Sequence, residues 1–227
     1  MNTIELLTDD GLHLPALHVP CPTGPGRPLI LIQEIFGING AMRQAAQAWA
    51  AEGFEVLCPD LFARQERGVE LDPRLPADFQ RGVTLMQGLD QERAVADLDA
   101  ARQWLARQDA QRPVCALGYC LGGRLAVMMA LTTPIAASVS YYGVGLEGLI
   151  PDTPVKSAPC LLHIAENDAF VPAEARDTIV RRAGLQQDMP VHIYAGCDHA
   201  FARPDGEHFQ AEAAELARQR TLAFLRA

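Results

Sequence analysis

Apolar and polar positions fall into two patterns along this chain. The first is the short continuous apolar run bounded by turn residues. Residues 29–33 (LILIQ) form such a run, and an unbroken run suits a central strand buried on both faces. The runs over 54–58, 114–117, 135–142, 160–165 and 191–194 read the same way. The second pattern has helical spacing. Ala94, Leu98, Ala101 and Leu105 place one apolar stripe on a helix over 91–107. Further helices are predicted over 41–51, stopping at Gly53, and over 121–131, near 173–183 and over 209–225. Two strands, 3–7 and 12–18, open the chain around a turn at Asp9, Asp10 and Gly11. Residues 20–28 are rich in Pro and Gly and read as loop. Residues 61–77 are irregular and charged, which fits an excursion near the mouth of a sheet. Strands alternating with helices predict an α/β fold with a mainly parallel central sheet flanked by helices on both faces. In such sheets functional residues lie beyond the carboxyl ends of the strands.

Composition narrows the function. A chain of 227 residues suits one α/β domain, 1–227, with enough length for a large core. The net charge of -9, with no basic patch, argues against a nucleic-acid partner. It also repels anions at long range, so an anionic substrate would need arginines placed locally. The start, MNTIELLTDDG, lacks the basic and apolar regions of a signal peptide. The most apolar stretch, 125–139, is broken by Thr132, Thr133 and Pro134 and reads as a buried helix and a strand, not a membrane span. Six cysteines are present, and Cys58, Cys115 and Cys160 fall in strand-like runs. With no secretion signal, buried free thiols in a reducing cytoplasm are the expectation.

The chemistry enters at Gly118-Tyr119-Cys120-Leu121-Gly122. This is G-x-C-x-G, a nucleophile elbow with cysteine in place of serine, between a predicted strand and a predicted helix. The turn lifts the thiol above the sheet at a helix N-terminus, where backbone N–H groups favour a thiolate and an oxyanion. A buried cysteine in a glycine turn would share the pentapeptide but has no need of that setting. A dinucleotide loop would need G-x-G-x-x-G, which this is not. The elbow makes the fold an α/β-hydrolase, whose acid and base follow in that order. Asp168 and His199 each follow a predicted strand and supply them, with Glu166 an alternative acid. His13, His18, His163 and His192 lie inside strands, and His208 starts the last helix. No metal is expected, because the adjacent Cys197, Asp198 and His199 cannot readily chelate one ion and zinc-type spacing is absent. Glu34 follows the first buried run, where lipases often carry an oxyanion-hole motif. A carboxylate near a thiol would accept its hydrogen bond and oppose ionisation until substrate arrives.

These blocks, with QEIFGIN (33–39), CPDLFARQ (58–65), GYCLGG (118–123), YYGVGLE (141–147), the END/FVP stretch (166–172) and DHAFAR (198–203), resemble the dienelactone hydrolases, or carboxymethylenebutenolidases. The blocks run in the family's order over nearly the whole chain. The resemblance implies a cytoplasmic monomer without a cofactor, needing neither nucleic acid nor membrane. Its substrate would be a small anionic lactone, dienelactone, opened to maleylacetate in the bacterial breakdown of chlorinated aromatics. It selects Asp168 over Glu166 and completes a triad of Cys120, Asp168 and His199. It gives Glu34 the role of holding the resting thiol and swinging away when the substrate carboxylate binds. It assigns the oxyanion hole to the N–H groups of Ile35 and Leu121, carboxylate binding to Arg203 with Arg81 as the candidate second arginine, and a pocket position to Tyr142. Two positions depart from the family pattern. Ala200 stands where a small polar residue commonly follows the histidine, and Met86 where an aromatic pocket residue is expected. Two other readings remain: a general cysteine carboxylesterase acting on another small ester, and a non-catalytic small-molecule binder. The second has no need of a complete Cys, Asp and His set.

Overall fold

The computed structural model describes residues 1–108 and 111–227. The chain forms two compact units, 1–116 and 117–227, with the boundary inside the fifth strand.

The first unit holds β1 (Asn2–Leu7), β2 (His13–Val19), β3 (Arg27–Ile32), α1 (Gly40–Ala51), β4 (Phe54–Pro59), α2 (Pro76–Gln87) and α3 (Gln91–Gln108). Its strands are ordered β1-β2-β4-β3. The opening hairpin is antiparallel, β2 joins β4 antiparallel, and β3 runs parallel to β4. Every residue from Leu29 to Gln33 is buried, as an unbroken apolar run predicts. The stripe Ala94, Leu98, Ala101 and Leu105 is buried too, and α3 packs on β3 and β4. Gly53 ends α1 with φ +97°, a left-handed position that glycine takes without strain.

Residues 61–75 are irregular, as expected, yet they are tied down. Asp60 caps them, accepting from the N–H groups of Phe62 (3.1 Å) and Gly68 (2.8 Å). The Leu71 N–H donates to the Phe36 carbonyl at 2.9 Å, and the Asn39 side chain donates to the Leu71 carbonyl at 2.9 Å. The excursion therefore fixes the segment that carries Glu34 and Ile35. Helix α2 begins within the stretch read as loop. Pro76 is its start signal, because proline fits the first helical turn, where its missing N–H costs nothing.

The second unit holds the rest of β5 (Cys115–Tyr119), then α4 (Leu121–Thr132), β6 (Ala137–Tyr141), a 3-10 turn (Leu146–Gly148), β7 (Cys160–Ala165), α5 (Ala173–Ala183), β8 (Val191–Tyr194) and α6 (Ala211–Arg226). Its strand order is β5-β6-β7-β8, with β6, β7 and β8 parallel. Helix α4 packs on β6, and α6 on β6 and β7. Two expectations are corrected here. The sixth strand stops at Tyr141, and Tyr142 turns into the left-handed region at φ +40°. The last helix starts at Ala211, so His208 lies outside it. The reason is a series of turns after His199, in which Arg203 N–H donates to Ala200, Gly206 to Arg203 and Phe209 to Gly206. No helix is long and apolar enough to cross a membrane among the described residues.

Candidate active site

Cys120 sits between β5 and α4 with φ 55° and ψ -115°. A non-glycine residue there costs about 1–3 kcal/mol and persists only when its surroundings over-determine it. The surroundings do so. Cys120 N–H donates to the Tyr141 carbonyl at 3.0 Å, and its own carbonyl accepts from Arg124 N–H at 3.1 Å. Gly118 explains the motif's first glycine, since a Cβ there would lie 2.0 Å from the Gly122 carbonyl oxygen. Leu121 is the first residue of α4, so its N–H belongs to the turn without intrahelical acceptors.

Asp168 and His199, the other two residues expected to form a triad, lie on the loops after β7 and β8. His199 Nδ1 donates to Asp168 Oδ2 at 2.7 Å. Asp168 is buried and its second oxygen accepts from Phe170 N–H at 2.9 Å. Its neighbour Glu166 is exposed and accepts instead from Gly196 N–H at 2.8 Å. The acid partner of His199 is thus Asp168. With Nδ1 committed to the aspartate, Nε2 is left for Cys120, with which the imidazole also hydrogen-bonds. Burial would lower the His199 pKa. The Cys120 charge and the hydrogen bonds to Asp168 and Cys120 outweigh it and raise the value to about 10. Such an arrangement can hold an imidazolium beside a thiolate, and afterwards act as a general base.

The remaining thiols behave differently. All six cysteines are free, and Cys58 and Cys160 are fully buried with pKa values pushed up to about 12 by desolvation. Cys197, two residues before the histidine, is also shifted upward, by burial and by Asp198 and Glu166. Cys120 alone among these adjoins an imidazole and a helix N-terminus.

Around the histidine, Tyr142 is 1% exposed and presents its ring edge at 5.1 Å. Phe170, not singled out as a site residue in the sequence, packs on the opposite ring contact at 4.8 Å while 55% exposed. Its signals were its place two residues after the acid and its membership of the FVP block (170–172). Arg203 is half-buried on the turn following His199, and Ala200 takes φ 63°. In the first unit Glu34 is 4% exposed and Ile35 is buried, just beyond β3. The close approach of Gly82 on α2 to the Ile35 carbonyl leaves no space for a side chain there, so α2 lies directly against this loop. Arg81, on the same helix, is 52% exposed and ion-paired with Glu66.

A model of the dienelactone hydrolase family matches residues 15–227. The chain belongs to this family. A relative in Azospirillum brasilense is 43% identical over 219 residues, covering 96% of this chain and 94% of that one. The carboxymethylenebutenolidase of Pseudomonas putida is 37% identical over 223 residues, covering 98% and 94%. A solved protein of Klebsiella pneumoniae subsp. pneumoniae aligns with a TM-score of 0.81 at 26% identity, covering 98% of this chain and 96% of that one. The fold is that of an α/β-hydrolase, and this dienelactone hydrolase family member is an enzyme that hydrolyses ester or lactone bonds.

Proposed function

We propose that the protein opens dienelactone (4-carboxymethylenebut-2-en-4-olide) to maleylacetate through a Cys120 acyl-enzyme, as a cytoplasmic monomer without a cofactor. The observation that carries the cysteine chemistry is His199 bonded to both Asp168 and Cys120. The substrate assignment is supported by relatives named carboxymethylenebutenolidase. The thiolate adds to the lactone carbonyl carbon, forming a C–S bond. The ring C–O bond then breaks and its oxygen leaves as an enolate, which takes the His199 imidazolium proton to become the ketone and leaves a neutral imidazole. His199 next accepts a proton from water, the hydroxide adds to the thioester, and the C–S bond breaks to return the thiolate and release a carboxylate. Leu121 N–H supports the developing oxyanion. From the first unit, the family resemblance adds Ile35 N–H to that task and Glu34 as the carboxylate governing the resting thiol. Arg203 and Arg81 bind the substrate carboxylate, and Tyr142 lines the pocket. For Arg81 this means exchanging an exposed pair with Glu66, which is worth little.

The test is turnover of dienelactone compared with neutral p-nitrophenyl esters, with mass measurement of the quenched protein. Efficient dienelactone hydrolysis and an acyl adduct on Cys120 are expected. Preference for the neutral esters would make the protein a general cysteine carboxylesterase. Turnover with no adduct on Cys120, or full activity in Cys120→Ala, would refute the cysteine mechanism.

A further inference from the structure

The carboxyl ends of β6, β7 and β8 rest on a buried polar layer that the proposed chemistry does not use. His163 of β7 is 0% exposed and lies between two hydroxyls. Its Nδ1 is 2.8 Å from the Tyr194 hydroxyl on β8, and its Nε2 is 2.9 Å from Thr221 Oγ1 on α6. Tyr141 of β6 ends the line, its hydroxyl 2.7 Å from the same threonine oxygen. Tyr141, Tyr194 and Thr221 are buried as well. At the far end the Arg220 guanidinium lies over the Tyr194 ring, 5.4 Å from its centroid.

Buried polar atoms have to be matched donor to acceptor. A neutral imidazole carries one proton, so one ring nitrogen donates to its hydroxyl partner and the other accepts from its own. Burial keeps this ring neutral, pushing its pKa down to about 3, with the charges of His192 and Arg220 acting in the same direction.

His163 also holds the backbone beside the site. The Tyr142 N–H, at the left-handed residue after β6, donates to the His163 carbonyl at 2.8 Å. The Tyr142 ring meets His199 at 5.1 Å and Phe201 at 5.7 Å. Phe201 in turn lies 4.7 Å from the ring of Tyr194. One residue thus fixes Tyr142 from the main-chain side and, through Tyr194 and Phe201, from the ring side.

We propose that His163 is a positioning residue of this hydrolase, locking Tyr142 through the Tyr194–His163–Thr221–Tyr141 hydrogen-bond line and thereby orienting the His199 imidazole. The proposal rests on the reading of His199 as the catalytic base.

Two variants remove one hydroxyl each at nearly constant volume: Tyr194→Phe and Thr221→Val. The wild type and both variants are examined for kcat and KM on a neutral p-nitrophenyl ester, and by nitrogen NMR of labelled histidines. In the wild type His163 should give a neutral ring in a single tautomer and no titration near neutral pH. Each variant should change the His163 signals and shift the His199 titration. Each should lose about tenfold or more in kcat, with KM changed by less than about twofold, because an orienting contact acts on the reacting geometry and not on substrate binding. His163→Gln, which keeps a hydrogen-bonding group near the Nε2 position, should recover part of the kcat lost in His163→Leu. Wild-type kcat in both hydroxyl variants, despite altered His163 signals, would overturn the proposal. So would a His163 ring that titrates near neutral pH. Cys120→Ala runs in the same assay: if it stays active, the triad reading fails, whereas the His163 signals still test the buried line.

Discussion

Replacing Cys120 with alanine should lower the pKa of His199. The imidazole lies in a place where burial alone would depress its value below the usual 6.5, yet it is raised to about 10. At about 1.36 kcal/mol per tenfold change, that rise represents roughly 5 kcal/mol favouring the imidazolium. The Cys120 charge is the largest of the raising influences, ahead of the hydrogen bonds to Asp168 and Cys120. Alanine removes the charge and one of those bonds and leaves Asp168 alone against burial. The midpoint should fall by about 1–3 pH units, the usual effect of losing an adjacent opposite charge.

NMR titration of the His199 ring in wild type and variant measures this directly. The sign carries over to stability. A folded pKa above the unfolded 6.5 means that the imidazolium stabilises the fold fully below about pH 6.5, and that this contribution is lost as pH rises through about 10. In the alanine variant the alkaline loss should begin earlier, visible as a lower urea midpoint at alkaline pH than at neutral pH. An identical His199 midpoint in both proteins would refute the reasoning. It would mean that Cys120 does not govern the ionisation of the imidazole.

Three further outcomes are expected. Glu34→Gln should change the pH dependence of Cys120 alkylation and cut lactone turnover while leaving the protein folded; identical alkylation profiles would remove Glu34 from control of the thiol. Arg203→Ala should lose about 2 kcal/mol or more in kcat/KM on the acid lactone, as for a charge-assisted contact, and almost nothing on a neutral ester; equal losses on both would make Arg203 structural. Ala200→Val should destabilise the fold by about 1–3 kcal/mol in urea unfolding, because a β-branched residue at φ 63° is strongly disfavoured; unchanged stability would mean that the backbone after His199 is free to relax.

Much of this was legible before any coordinates. Continuous apolar runs marked β3 and β7 because strands buried on both faces have no polar alternation to blur them. Cys120 was legible because its elbow needs glycine at fixed offsets between a strand and a helix. Two boundaries differ from the pattern, for two different reasons. Tyr142 looked like strand by composition, but a tertiary bond from its N–H to His163 draws it into the left-handed region. The segment before α6 has helical composition near Phe209, but successive turns from Ala200 onward delay the helix to Ala211. The first effect is tertiary and the second is a run of i, i+3 turns, and apolar periodicity shows neither. The buried line through His163 was invisible because its members come from three strands and a helix.

The choice between Glu166 and Asp168 shows how far pattern alone can reach. Both carboxylates follow the same strand, two residues apart, and either type could serve a triad. The structure uses both on the same loop but at different places. Asp168 turns inward and takes the His199 ring through Nδ1, which fixes the tautomer. Glu166 stays at the surface and takes the Gly196 N–H, while its own N–H donates to the Tyr194 carbonyl at 3.1 Å and the Asn167 N–H to the Cys197 carbonyl at 2.8 Å. Beyond the histidine, Gln210 closes the same loop. Its side chain donates to the Gly196 carbonyl at 3.1 Å and accepts from the Cys197 thiol at 3.3 Å, and its N–H donates to Phe201 at 3.0 Å. A base must be held within a few tenths of an ångström to be effective, and a single carboxylate on its ring cannot hold the backbone that carries it. That explains why the loop after β7 bonds to the loop after β8 through ring and main chain together.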